Sequence, residues 1–160
     1  MSVRSGLLEL LEKNKGTMLS GEKLAAELQC TRAAIWKAVT ARRKDGYAIT
    51  AVQNKGYMLS AETNRLSAEG IRPFLKQNEI LVEAYDVVDS TNRVAKQAAM
   101  NQKAKHGSVV AAASQTAGRG RRGRDFYSPR GGLYMSIILQ PGETLQEGLL
   151  LTTAAATAVY

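Results

Sequence analysis

The chain has 160 residues, 44% apolar and 22% charged, a globular balance sized for one ordinary domain or for a small domain plus part of another. Its longest apolar-leaning stretch, Leu149 to Tyr160, is broken by three threonines and is shorter than the roughly 20 residues of a membrane span. The lone cysteine, Cys30, excludes a disulfide framework and a cysteine-built zinc site and fits a reducing, cytoplasmic setting. The formal net charge of +8 gathers in two foci. Residues 1–60 carry ten basic and five acidic side chains, and Arg119, Arg121, Arg122, Arg124 and Arg130 face Asp125 alone. A basic excess is often no more than a solvated face, but two separated foci point to two anionic ligands.

Met1–Gly16 alternates charges with leucines and carries no secretory signal. Val3, Leu7, Leu8 and Leu11 recur at helical spacing and predict a first helix over about Val3–Asn14, ending near Gly16. Ser20 caps a second helix with Glu22 in its first turn and Leu24, Ala25 and Leu28 as its buried stripe. After the turn Gln29–Cys30, Thr31 caps a third helix that runs to about Asp45 and is closed by Gly46. This is helix-turn-helix spacing.

In the third helix Ala34, Ile35, Ala38, Val39 and Arg42 share one side, whereas Arg32, Ala33, Trp36, Lys37 and Thr40 occupy the other. Small residues among donors at a helix N-terminus allow close approach to a major groove. Arg32 suits a guanine edge and Lys37 a phosphate. Tyr47–Val52, a turn at Gln53-Asn54 and Lys55–Leu59 then form a hairpin. Three helices and a hairpin make a winged helix with Asn54 and Lys55 at the wing tip. Such a unit also serves as a protein-docking module, with Trp36 in its core. The basic helix face and wing favour DNA, with Arg32, Ala33, Trp36, Lys37, Asn54 and Lys55 as its contacts.

Residues 60–66 are polar, and Ser67 starts a short helix that ends near Leu75. Beyond it strand and helix alternate: a strand over about Val82–Val88, a helix Thr91–Lys103, strands Ser108–Ser114 and Leu133–Gln140, and a helix from Thr144 onward. The fold class is mixed α/β (α+β), with a partly antiparallel sheet. The last helix has apolar surface that the remaining sequence does not cover, so the second domain is expected to be cut short. The predicted division is a winged helix over residues 1–62, a linker with its short helix over 63–83, and an incomplete α/β domain over 84–160.

The segment Gln115–Pro129 concentrates the chemistry. Gly118, Gly120 and Gly123 spell G-x-G-x-x-G, but the dinucleotide fingerprint needs a helix directly after the glycines, and a strand follows here. What remains is a mobile glycine loop between strands, studded with permanently charged forks suited to carboxylate and phosphate oxygens. Such a loop can close over a carboxylate that attacks an α-phosphate, neutralising charge and excluding water. An RNA-binding or merely solvated arginine–glycine segment is the alternative.

The runs Asp89-Ser-Thr-Asn92, Gln115-Thr-Ala-Gly-Arg-Gly-Arg-Arg-Gly-Arg124, Ser128-Pro129 and Gly132-Leu-Tyr-Met-Ser136 resemble the biotin–protein ligases. The N-terminal Ser20-Gly-Glu22, Thr31–Lys37 and Asn54-Lys-Gly-Tyr57 resemble the winged helix of their bifunctional members, which also repress the biotin operon. The resemblance spans essentially the whole chain. It implies a class II synthetase-like ligase fold and a two-step reaction. Biotin and ATP, the latter with Mg2+, give biotinyl-5′-adenylate and pyrophosphate; a lysine of a biotin carboxyl carrier protein then takes the biotinyl group. It implies that Ser90, Thr91, Asn92, Gln115, Arg119, Gly120 and Arg121 bind biotin, the ureido oxygen facing the helix N-terminus. Ser90–Asn92 as a plain N-cap is the alternative. Gly118, Arg122, Gly123, Arg124 and Phe126 would form the adenylate loop. It further implies operator DNA as a partner and homodimerisation on the adenylate, with no resident cofactor and no metal site in the protein.

The family's later-strand lysine and its Lys-Trp-Pro-Asn-Asp motif do not occur in this sequence, so no catalytic residue is assigned and the chain alone is not expected to complete catalysis. Lys96, Lys103 and Lys105 sit on or near a polar helix face and are not promoted into that role. His106 is expected to satisfy helix-terminal carbonyls, and Cys30 to pack inside. Two rivals remain: an effector-sensing transcription factor without ligase activity, and a lipoyl- or octanoyl-transfer relative.

Overall fold

The computed structural model describes residues 2–76, 80–140 and 157. The predicted helix from Thr144 onward lies outside them. Helices α1 (Val3–Lys13), α2 (Gly21–Glu27) and α3 (Arg32–Lys44) begin at Ser2, Ser20 and Thr31, whose hydroxyls accept from the backbone N–H of Ser5, Lys23 and Ala34. Each cap satisfies one donor that the first turn leaves without a partner. Asp45 and a left-handed Gly46 (φ +89°) end α3. Leu7, Leu8, Leu11, Leu24, Ile35 and Leu59 are fully buried in one cluster, which Val39, Tyr47 and Ile49 extend. Truncating any of these leucines to alanine would cost about 2–5 kcal/mol.

The wing is the antiparallel pair β1 (Ile49–Val52) and β2 (Gly56–Leu59), with Val52 opposite Gly56. It is shorter than the sequence predicts: Tyr47 precedes the ladder and Lys55 belongs to the turn, because Asn54 takes φ +60° and Lys55 N–H closes back on the Val52 carbonyl at 3.1 Å. Leu19 pairs with the other edge of β2, exchanging both backbone hydrogen bonds with Tyr57 at 2.9 and 2.8 Å. This fastens the wing to the segment that caps α2.

Helix α4 (Ala68–Ile71), capped by Ser67, continues into a 3-10 turn at Arg72–Phe74. The linker holding it is docked on the winged helix. Arg42 Nη2 of α3 meets Glu69 Oε1 at 2.6 Å, Ser5 Oγ of α1 donates to the same oxygen at 3.1 Å, and the guanidinium carbons of Arg42 and Arg65 lie 5.7 and 5.3 Å from the Tyr47 ring centroid. Burial alone would raise the Glu69 pKa. Its own backbone N–H, the Arg42 charge and the Arg42 and Ser5 hydrogen bonds overcome that and hold it below the ordinary 4.5. A depressed carboxyl stabilises the fold above its unfolded pKa and loses that contribution as pH falls through the folded value. Glu69→Gln should therefore flatten the acid limb of a stability–pH curve measured by urea unfolding, with a loss on the order of 1 kcal/mol at neutral pH.

The second unit is a three-stranded sheet in the order β3 (Val82–Tyr85), β4 (Ser108–Ala112), β5 (Tyr134–Ile138), with β3 parallel and β5 antiparallel to β4. Helix α5 (Thr91–Met100) is the β3–β4 crossover and packs on β4 and β5. It is a turn shorter than predicted, because Gln102 turns left-handed at φ +54°. The predicted strand to Val88 narrows to a single parallel bridge between Val88 and Gln115.

Candidate ligand and nucleic-acid sites

Parallel pairing of β3 with β4 brings the segments after both strands together, the position where ligands bind in open α/β sheets. Thr116 and Ala117 donate their N–H groups to the Val88 and Asp89 carbonyls at 2.9 and 2.8 Å, so the start of the glycine–arginine segment lies beside the N-terminus of α5. Ser90 precedes α5 and is buried, but its side chain makes no capping bond. Ser90 is thus the N-cap by backbone position alone. Gln115 does the capping from 24 residues away: its Oε1 accepts from Thr91 N–H at 2.8 Å and from the Thr91 hydroxyl at 3.2 Å.

The same amide reaches the far side of the loop, Nε2 donating to Ser128 Oγ at 3.0 Å, while Ser128 Oγ donates to the Phe126 carbonyl at 3.0 Å. Ser136 Oγ of β5 donates to the Thr91 hydroxyl at 2.9 Å. Thr91, Gln115, Ser128 and Ser136 thus form one network joining helix, loop and sheet. An amide NH2 carries two donors, so Gln115 keeps one N–H for a ligand. Ser128 and Ser136 were not assigned roles from sequence. The hint available was a serine just before Pro129 where a loop rejoins the sheet, and only folding shows its target.

The loop between the strands is a hydrogen-bonded hairpin. Phe126 N–H donates to the Gly118 carbonyl at 2.9 Å, Gly120 N–H to the Arg124 carbonyl at 2.7 Å, and Arg119 bridges Asp125. A 3-10 turn over Arg121–Gly123 forms the tip, with Arg122 and Gly123 left-handed at φ +59° and +75°. Arg119, Arg122 and Arg124 are exposed and have no ion-pair partner among the described residues. Arg130 does not join them: Asp86 pairs with it, so the basic focus is smaller than the sequence indicates. Phe126 stands half exposed, edge-on to Tyr134 with centroids 6.5 Å apart. Asn92 is exposed on the first turn of α5.

Neighbouring titratable groups have structural explanations. The Tyr85 hydroxyl donates to Glu83 at 2.6 Å; that bond, with burial and the Glu83 charge, pushes the phenol up to about 12 and keeps it protonated. His106 does not serve the helix end as expected. Its Nδ1 accepts from Gln140 N–H beyond β5 at 3.1 Å, because the β4–β5 register brings those two ends together. Cys30 is half-buried against the winged-helix core. Lys96, Lys103 and Lys105 are exposed. Among the described residues no cluster of His, Cys, Asp or Glu could hold a metal ion, and no helix is long and apolar enough to cross a membrane.

On the winged helix Arg32, Ala33, Trp36 and Lys37 are all exposed on α3, and Ile35, Ala38 and Val39 are buried. Trp36 is 59% exposed, which removes it from the core. A cleft of about 770 Å³ separates this face from the wing and is lined by Arg32, Ala33, Trp36, Val52, Asn54 and Lys55 among others. Five of the six predicted DNA contacts thus line one cleft, and Lys37 flanks it one residue beyond Trp36.

Residues 4–58 match the family model of an HTH domain, and residues 84–158 that of the Biotin/lipoate A/B protein ligase family. The "Bifunctional ligase/repressor BirA" of Bacillus subtilis (strain 168) is 40% identical over 162 residues, covering 99% of this chain and 49% of that protein. The protein of the same name from Escherichia coli (strain K12) is 36% identical over 146 residues, covering 89% and 44%. A crystal structure of biotin protein ligase from Leishmania major in complex with biotinyl-5-AMP is 38% identical over the matched part. It covers 44% of this chain and 28% of that one, with a TM-score of 0.37, too partial an overlay to carry an argument. The chain spans about half the length of the curated relatives it matches.

Proposed function

We propose that the chain, whose two parts match an HTH domain and the biotin/lipoate A/B protein ligase family, is the DNA-reading and vitamin-binding part of a bifunctional biotin–protein ligase that represses transcription in response to biotin, as its resemblance to the bifunctional ligase/repressors supports. The biotin carboxylate attacks the α-phosphorus of ATP and pyrophosphate leaves. The amine of a carrier-protein lysine then displaces AMP and forms the amide. Mg2+ accompanies ATP as part of the substrate.

The observation that carries this reading is the interlocked start of α5 and the arginine hairpin. The Gln115 amide holds Thr91 and Ser128 together, and Arg119, Arg122 and Arg124 project without anionic partners among the described residues. In the proposed site Ser90, Thr91, Asn92 and Gln115 take the ureido end of biotin. Gly118, Arg119, Gly120 and Arg121 line the carboxylate and its anhydride, and Arg122, Gly123, Arg124 and Phe126 close over the adenylate. Fixed guanidinium groups placed where charge develops are an effective way to stabilise an acyl–phosphate transition state. In the proposed division residues 1–62 read DNA, 63–83 link and 84 onward belong to the ligase; a cytoplasmic homodimer formed on biotinyl-5′-AMP presents two winged helices to a palindromic operator.

Calorimetry with biotin and with biotinyl-5′-AMP tests the site. ATP-dependent labelling of a biotin carboxyl carrier domain by the full-length protein tests the reaction. A sensor without ligase activity gives binding but no labelled carrier, and a lipoyl- or octanoyl-transfer relative binds neither vitamin form. On the DNA side, Arg32→Ala should relax preference at one base by about 1–3 kcal/mol, whereas Lys55→Ala should lower the salt slope of binding by about one, both read from binding isotherms over a salt series.

A further inference from the structure

Only two large apolar side chains stand exposed among the described residues of the winged helix, Trp36 at 59% and Val52 at 38%, and both line the cleft between α3 and the wing. Packing does not require the indole there, since Ile35, Ala38 and Val39 already fill the core side of α3. The Thr40 hydroxyl, the other group on this face, is tied back to the Trp36 carbonyl at 2.9 Å and so is drawn away from reading a base. Ala33 lies one turn earlier on the same face, and Arg32, Lys37 and Lys55 surround the apolar spot with cations. The surface therefore fits a polyanion that presents an apolar group at close range. Of the four bases only thymine shows one on its major-groove edge, the C5 methyl.

We propose that Trp36, which shares the cleft with Ala33, is a specificity-determining residue that reads thymine through its C5 methyl; this rests on the DNA-binding reading above. Arg32 and the wing cations then fix register and affinity while the indole supplies discrimination that no hydrogen bond could give. A cation face without an apolar centre would bind DNA but could not separate thymine from its demethylated analogue.

Trp36 is the only tryptophan in the sequence, so its fluorescence reports on this contact directly. The test uses the full chain, a duplex it selects from a random-sequence pool, and the same duplex with deoxyuridine in place of thymidine. Quenching with a blue shift on the thymidine duplex, an affinity loss of about fourfold per contacted methyl on the deoxyuridine duplex, and loss of that ratio in Trp36→Ala support the proposal. Because the indole is exposed, Trp36→Ala should keep its melting temperature, and a thermal melt checks this. Salt-dependent binding to both duplexes with equal affinity, or a Trp36→Ala chain that keeps the full ratio, overturns the thymine assignment and leaves the DNA reading standing. Absence of any salt-dependent duplex binding overturns both.

Discussion

Gly118→Ala should weaken biotinyl-5′-AMP binding at least tenfold while leaving operator affinity intact. Gly118 is buried where the hairpin strands meet the helix-capping amide. A Cβ there would sit 2.5 Å from the Phe126 carbonyl oxygen, 2.6 Å from Ser128 Oγ and 3.1 Å from Gln115 Nε2. The first neighbour is backbone and cannot swing aside, and the other two belong to the network that joins loop and helix. Relief of the clash must break the Phe126–Gly118 rung or the Gln115–Ser128 bond. Each such bond is worth about 1 kcal/mol, and the groups it leaves buried and unpaired cost more. A tenfold loss corresponds to about 1.4 kcal/mol, well inside that range. Calorimetry gives the affinity, and the DNA isotherm of the same preparation shows that the variant is folded. Unchanged adenylate affinity would mean that the hairpin's join to α5 plays no part in binding.

Gly56→Ala should produce the opposite pattern: a destabilised winged helix and loss of the proposed operator binding, with the proposed adenylate site retained. Two demands coincide at this residue. Its φ of +120° is strained for any side chain, and a Cβ would lie 2.0 Å from the Leu19 carbonyl oxygen and 2.8 Å from the Ser20 Cα. The oxygen is the acceptor of the Tyr57 N–H in the Leu19–Tyr57 bridge, so the wing must separate from the body. Backbone strain of about 1–3 kcal/mol adds to two lost hydrogen bonds of about 1 kcal/mol each. Leu19 is itself part of the buried cluster, so the damage reaches the core. Thermal unfolding followed by circular dichroism measures the loss, and titration with biotinyl-5′-AMP checks that the second unit persists. The two glycine variants together separate the functions of the two ends of the chain.

Local chemistry made much of this molecule legible. The hydroxyl caps at Ser20, Thr31 and Ser67, the buried leucine stripe and the exposed face of α3 follow from interactions within one or two helical turns, and these lie where the sequence places them. Element ends were less legible. The Gln102 turn, left-handed at a non-glycine residue, shortened a helix in a way that composition does not announce, whereas the expected Gln53-Asn54 turn was merely extended to Lys55. The arginine-rich segment was recognisable as a strand connection suited to anions, but the cross-strand bonds Phe126–Gly118 and Gly120–Arg124 that close it were not.

A helix-turn-helix unit followed by a mixed α/β unit could be read along the chain, as could the segment carrying the guanidinium groups. Tertiary structure alone decided how those groups are deployed. It made Gln115 the cap of a helix 24 residues distant, drew in Ser128 and Ser136, set Asp86 on Arg130, tied the linker to the winged helix through Arg42 and Glu69, and left Trp36 in the open. The physical reason is distance along the chain. Propensities and caps act between near neighbours, whereas an amide, a carboxylate or an indole takes its partner from whatever the fold brings within about 3 Å.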